Sequence, residues 1–467
     1  MKSLKLFITI LFASQFLLAQ DYAPLTHYCY YQLDNYSGEQ AILYALKGDQ
    51  TIALDTTKVQ RGAFVFSNIE KYPAGMYRIS FNDTLFTELV FNNEDIVLKA
   101  DARSVLLTMQ VKRSDENMIL FTYWVYAMQV RDSIVSVGYE REKFKKSSNY
   151  SVSKVQAYDD RIETLNEHLY EYIEGIAAAY PNLLTPVILR SYLIPSYSHY
   201  LKDKDNEPYP SERMFYLYHF FDNIDFSDAR LLNTRIIYTA ISDYMRTFAK
   251  PAKSSVYNDI IDRVMDLSKS NDSVYRYSLS LFIRTFENSI WENVYVRIIE
   301  KYYFNSVAFT PQQGKYYTKK IAIIKSLRLG EKMPNVVLND TTNNSISLYS
   351  VKSKVKMVLI YSSSCPHCKE VMPDVKEVYN TYKSMGFEIY AIAIDDSASI
   401  WKKEIVDEHY NWISVSDLKG LNSPVLDTYN VWMTPMMYML DKNNIIVNKP
   451  RGMEDIHATI LQLLKMK

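Results

Sequence analysis

Two thiols that bracket a prolyl-histidyl pair, Cys365-Pro366-His367-Cys368, are the residues of this 467-residue chain best suited to chemistry. An apolar run over residues 355–361 precedes them and reads as a buried strand, and residues 369–383 follow as a helix. Cysteines two residues apart at a strand-to-helix junction can close a disulfide across one helical turn. The first sulfur then lies among the unpaired amide N–H groups of the helix N-terminus, which favour thiolate over thiol. Thiolate is the attacking species in disulfide exchange, so the spacing implies a redox nucleophile. The alternative is a structural disulfide that does not turn over.

What such a pair does depends on its compartment. Lys2 and Lys5, an apolar stretch over 6–18 and Ala19-Gln20 predict a cleaved secretory signal over 1–20, or alternatively an uncleaved N-terminal anchor. The stretch is shorter than the about 20 apolar residues that span a bilayer. Export to the periplasm is therefore expected. In an oxidising compartment a CxxC pair is redox-active or structural, and zinc is disfavoured. The chain has three cysteines, with no second CxxC or nearby histidine pair to complete a tetrahedral site, so no metal is expected. Cys29 is left over; it reads as a buried, inert thiol in a strand, with an intermolecular bridge as the other reading.

Lys+Arg and Asp+Glu each number 53, which leaves no net field to attract nucleic acid or an anionic membrane. A hydrophobic content of 48% marks a globular chain, and the length suggests about three domains. Short strands at 41–46, 51–54, 63–67, 76–81, 85–91 and 96–100, separated by turns, predict an N-terminal β-sandwich over 21–110. Ser114 is placed to cap a helix, and residues 111–326 read as an all-α domain. Pro251 is expected to open a helix with Val256, Ile260, Ile261, Val264 and Leu267 on one face; Phe282, Phe286, Ile290 and Val294 mark another. The 40 tyrosines suit half-buried helical faces better than a ligand groove. Beyond Gly330 come strands at 336–339, 345–348, 355–361 and 387–394, a helix near 399–409, a hairpin of 436–440 with 445–447, and a helix over 454–464. The β-α-β-α then β-β-α order is the thioredoxin succession, so 327–467 is expected to be a C-terminal α/β thioredoxin fold.

In that fold a cis-proline at the start of a strand faces the CxxC, and Thr434-Pro435 stands at that place. It would expose the Thr434 backbone to pair with an extended substrate segment. From about residue 327 onward the chain resembles periplasmic thioredoxins of the TlpA and ResA type. Gly330 with Met333-Pro334, Ser345-Ile346-Ser347-Leu348, the CPHC with Pro373, Asp395, Trp401, Trp412 and Tyr429-Asn430-Val431 before Thr434-Pro435 carry the resemblance. The front two thirds more weakly resemble the β-sandwich and helical extension found before such domains in exported proteins.

The resemblance implies that Cys365 is the attacking, solvent-facing thiolate and Cys368 the buried resolving thiol. Pro366 would stiffen the first helical turn, and His367 would add a donor, and a charge when protonated, beside the Cys365 sulfur. Two departures stand out. The glutamate that some relatives carry three residues after the second cysteine is Val371 here, with Glu370 one residue earlier. The buried aspartate of thioredoxin is matched by Leu359. The proton acceptor for Cys368 is thus missing, with Glu370 or Asp395 as substitutes.

Glycine is scarce, and no G-x-S-x-G, P-loop or H-E-x-x-H is present. The expected function is exported thiol–disulfide exchange with protein substrates, as reductase rather than oxidase, with no cofactor beyond the Cys365–Cys368 disulfide and a membrane electron donor as partner. The competing expectation is a binding or scaffold protein whose thioredoxin-like domain is a non-catalytic support.

Overall fold

The computed structural model describes residues 26–465 apart from 204 and 307–309, so the segment read as a secretory signal lies outside the described residues. The chain divides into two compact units, one ending at Ser278 and one starting at Leu279.

The first unit begins with two four-stranded sheets, ordered β4-β1-β7-β8 and β3-β2-β5-β6. Their strands are β1 (Tyr28–Asp34), β2 (Gln40–Lys47), β3 (Gln50–Lys58), β4 (Ala63–Ser67), β5 (Gly75–Ser80), β6 (Phe86–Phe91), β7 (Ile96–Asp101) and β8 (Gln110–Arg113). Alternate residues of both sheets, among them Tyr31, Leu43, Ile79, Leu89 and Leu98, meet in one core. Cys29 is wholly buried in β1, and burial pushes its thiol up to about 12, far from reactive at neutral pH. β1 starts earlier than the strand pattern suggests because Cys29 and Tyr31 alternate with exposed or half-buried neighbours into that core.

The junction after the sheets is built by three residues of one turn, Ser114, Glu116 and Asn117. Ser114 accepts from the Asn117 N–H at 3.0 Å and so caps the Asp115–Lys145 helix as its sequence suggests. Asn117 bonds the Val90 N–H and C=O, each at 2.8 Å, closing the edge of β6 as a peptide group would. Glu116, buried in the same turn, accepts from the Leu184 and Thr185 amides at 2.7 and 2.6 Å and caps the Leu184–Arg190 helix.

Two helical readings need correction. Pro251 does not open its helix: the peptide before it is cis, and the helix runs Ser254–Ser268 from a Lys253 cap. Phe282 and Phe286 share the Asp272–Glu287 helix, but Val294 belongs to a separate one, Glu292–Ile298, and Ile290 is an exposed linker residue. The apolar spacing continues across the break between the two helices, which leaves no apolar signal.

The second unit holds a seven-stranded sheet of order β10-β9-β13-β12-β11-β14-β15. Its strands are β9 (Val337–Asp340), β10 (Ser345–Ser347), β11 (Val355–Tyr361), β12 (Phe387–Ala393), β13 (Ile413–Ser416), β14 (Met436–Asp441) and β15 (Ile446–Asn448). Every residue of β11 is buried, as a central strand covered on both faces must be. One face packs on the helices Pro366–Tyr382 and Met453–Leu464. The other holds Leu348, Tyr390, Tyr429 and Tyr438. These tyrosines bury their rings and bond backbone carbonyls with their hydroxyls: Tyr429 to Pro334 at 2.7 Å, Tyr438 to Tyr429 at 2.8 Å, Tyr390 to Ile346 at 2.8 Å.

β13 has no counterpart in the sequence pattern. A buried parallel strand usually reads as a continuous apolar run, whereas Ser414 and Ser416 are buried here, Ser416 through a hydroxyl bond to the Ala393 carbonyl at 2.8 Å.

This unit also includes the helices Glu292–Ile298 and Pro311–Ser326, which sequence patterning assigns to the preceding helical region. Leu327 is fully buried in the sheet core with Ile323 packed against it, and Gly330 donates to the Ile446 carbonyl of β15 at 2.8 Å. A helical pattern shows where a helix runs, not which core it joins.

Asn117→Ala leaves the Val90 amide and carbonyl without their partner. Each unsatisfied buried group costs about 1–3 kcal/mol, so a loss of about 2–4 kcal/mol is expected in denaturant unfolding of the first unit.

Candidate active site

The Cys365–Cys368 segment is placed by strand register. β14 runs antiparallel to β11 with Ile360 opposite Met436, so two residues further along the chain end of β11 reaches the level of Thr434. The loop Ser362-Ser363-Ser364 that leaves β11 is tied to Asp395, beyond the end of β12. The buried Asp395 carboxylate accepts from Ser362 Oγ at 3.0 Å, the Ser363 N–H at 3.1 Å and Ser363 Oγ at 2.7 Å. Cys365 then stands as the N-cap of the Pro366–Tyr382 helix, with Pro366 at its first position, where a missing N–H costs nothing.

The Thr434–Pro435 peptide is cis, and the Cys365 thiol donates to the Thr434 carbonyl at 3.6 Å. The two elements read separately from the sequence therefore meet at one sulfur. Cys365 is partly exposed, and Cys368, three residues on in the first turn of the helix, is fully buried.

Their surroundings push the two thiols in opposite directions. The Thr434 side chain, ahead of the Cys368 and His367 amides, holds Cys365 below its ordinary 9.0. Burial pushes Cys368 up to about 11. One sulfur is thus primed to attack and the other is held back.

His367 plays a smaller part than its position suggests. Its ring is exposed and lies 3.4 Å from Glu370 Oε2, while its contribution to Cys365 comes from the backbone N–H. Glu370 itself lies at the surface in that pair. Asp395 is at the site, but as the anchor of the serine loop.

A groove of about 990 Å³ runs from this point. Its walls include His367, Val371, Pro435 and Met436 on one side and Ile290 and Leu329, from the upstream helical segment of the same unit, on the other. In the sequence Ile290 stood out only as part of a helical face, and Leu329 carried no signal of its own.

Residues 328–463 match the Redoxin family. A protein from Bacillus thuringiensis named Thiol-disulfide oxidoreductase ResA is 29% identical over 147 residues, 32% of this chain and 80% of that relative. The C-terminal region is a thioredoxin-like oxidoreductase domain. Among solved structures, the thioredoxin domain of a thiol–disulfide oxidoreductase from Bacteroides vulgatus is 29% identical over 30% of this chain and 99% of that one, with a TM-score of 0.28. A thioredoxin-like protein from Bacteroides caccae is 18% identical over 58% of this chain and 98% of that one, with a TM-score of 0.44. The Redoxin match leaves the sheets and helices before residue 328 of the oxidoreductase outside it.

The opposed thiols give a pH signature. Alkylation of Cys365 should show a midpoint below 9.0, with Cys368 remaining unmodified until about 11. Thr434→Val should move the Cys365 midpoint upward, as followed by mass spectrometry of the two peptides.

Proposed function

We propose that this protein is an exported, periplasmic thiol–disulfide oxidoreductase that exchanges disulfides with protein substrates through Cys365 and Cys368. The observation that carries this reading is the contact of the Cys365 sulfur with the Thr434 carbonyl at a cis-proline, with Cys368 buried behind it. A substrate segment laid along Thr434 finds a backbone edge to pair with and a sulfur of lowered pKa to meet its own. Cys365 forms the mixed disulfide, Cys368 resolves it, and Pro366 keeps the first turn rigid between them. The cysteine pair is the whole redox centre in this reading, and no further cofactor is invoked.

Reduction is the favoured direction. Stabilising the attacking thiolate makes a disulfide more oxidising, and the His367 ring, which pairs with Glu370, does not add its charge to that effect. A reductase must itself be recharged, and a membrane electron donor is the partner that export calls for.

Insulin-disulfide reduction tests the assignment. Cys365→Ser should fall to the uncatalysed rate, and Cys368→Ser should accumulate mixed disulfides with substrate proteins that dithiothreitol releases. Activity that survives Cys365→Ser would support a non-catalytic support role for the domain instead.

A further inference from the structure

Disulfide exchange needs a group to take the proton of Cys368, and the two positions where relatives carry one are Leu359 and Val371 here. The core beneath the cysteines nevertheless contains a second carboxyl besides Asp395. Glu404 enters it from the Ala398–Asp407 helix, three residues after buried Trp401 and one before Ile405, both packed in the cluster that holds Cys368. Glu404 Oε2 is buried and has no hydrogen-bond partner among the described residues. In the same cluster the hydroxyl of Tyr361 and the indole N–H of Trp401 lie within reach of each other. Native interiors satisfy nearly all buried polar groups, so a buried carboxylate oxygen left without a partner beside this apolar cluster needs an explanation, and a catalytic role is one.

These groups surround the cysteine loop. Tyr361 is the last residue of β11, directly before Ser362. The Ser363 hydroxyl that bonds Asp395 is also within reach of Glu404. The charged and titratable groups that face Glu404 are Asp395 after β12, Lys369 on the cysteine helix, Glu408 at the end of its own helix, Tyr361 and Tyr410. Tyr410 in turn faces Cys368. Burial first, then the charges of Asp395 and Glu408, raises the pKa of Glu404, which makes its ionised form a stronger base than a surface carboxylate.

We propose that Glu404 is the carboxylate that receives the Cys368 proton. The inference rests on the exchange reading above and deepens it. In the resolving step the Cys368 thiol gives its proton to Glu404, and its sulfur attacks Cys365 Sγ of the mixed disulfide. The Cys365–Cys368 bond forms as the bond to the substrate sulfur breaks. That bond's electron pair leaves on the substrate thiolate, which is then protonated from solvent. The enzyme dithiol is oxidised to a disulfide, and the substrate disulfide is reduced by two electrons.

The reduced full-length chain, mixed with a chromogenic aromatic disulfide, releases one coloured thiolate when Cys365 attacks and another when Cys368 resolves. Stopped flow separates the two releases. Glu404→Gln should slow the second release about 100-fold and leave the first within a factor of about two, with Glu404→Asp recovering part of the loss. In the wild type, which needs no variant to fold, the second release should level off well below the pH at which the Cys368 thiol itself ionises. Unassisted, it would keep climbing toward about 11, where burial places the Cys368 thiol. An unchanged second release in Glu404→Gln, or that steady climb in the wild type, overturns the role of Glu404. A first release no faster than that of free cysteine overturns the exchange reading instead.

Discussion

The antiparallel register between β11 and β14 is the constraint on which the site depends. With Ile360 opposite Met436, the residues that leave one strand and enter the other are brought to the same level. That level is where the cysteine helix starts and where the Thr434–Pro435 peptide turns cis. A slip of one residue would turn every side chain of β14 to the other face and carry the Thr434 carbonyl away from the Cys365 sulfur. The register is well protected. β11 is buried along its whole length, and Tyr429, Tyr438 and Tyr390 tie the segments around it to one another through hydroxyl bonds to backbone carbonyls.

Given that placement, the chemistry follows from contrast between two like groups. Cys365 is half in solvent, at a helix N-terminus and beside Thr434, and each of these favours charge on sulfur. Cys368, one turn deeper, loses its hydration and holds its proton. The third thiol, Cys29, is buried without such neighbours and shows what burial alone does to a cysteine. The order of events in an exchange, attack from Cys365 and then resolution by Cys368, is thereby written into burial.

The parts legible in the sequence are those whose physics is local. The CPHC between an apolar run and a helix, the proline heading the next strand, and the serine cap at Ser114 each depend on neighbours a few residues away. The thioredoxin order of strands and helices was legible for the same reason. What escaped depends on tertiary partners. β13 hides its strand character because its buried residues include serines that find a carbonyl only after folding. Glu404 looks like one more charge on an amphipathic helix; only its spacing from Trp401 hinted that it turns inward. The His367 ring was expected at the Cys365 sulfur, but a pairing with Glu370 one helical turn away holds it at the surface. The groove wall from Ile290 and Leu329 could not be read, since Ile290 fitted a helical face that the fold breaks and Leu329 lies in a turn with no motif of its own.

The most direct test of the account is the structure of a trapped intermediate. Cys368→Ser, joined through a disulfide to a cysteine-containing substrate peptide, should carry the peptide on Cys365. The peptide should lie extended along Thr434, with its backbone bonded to the Thr434 main chain and its flank in the groove beside Pro435. A peptide attached to Cys365 but directed away from Thr434 and the groove would contradict the claim that the β11–β14 register builds a substrate site.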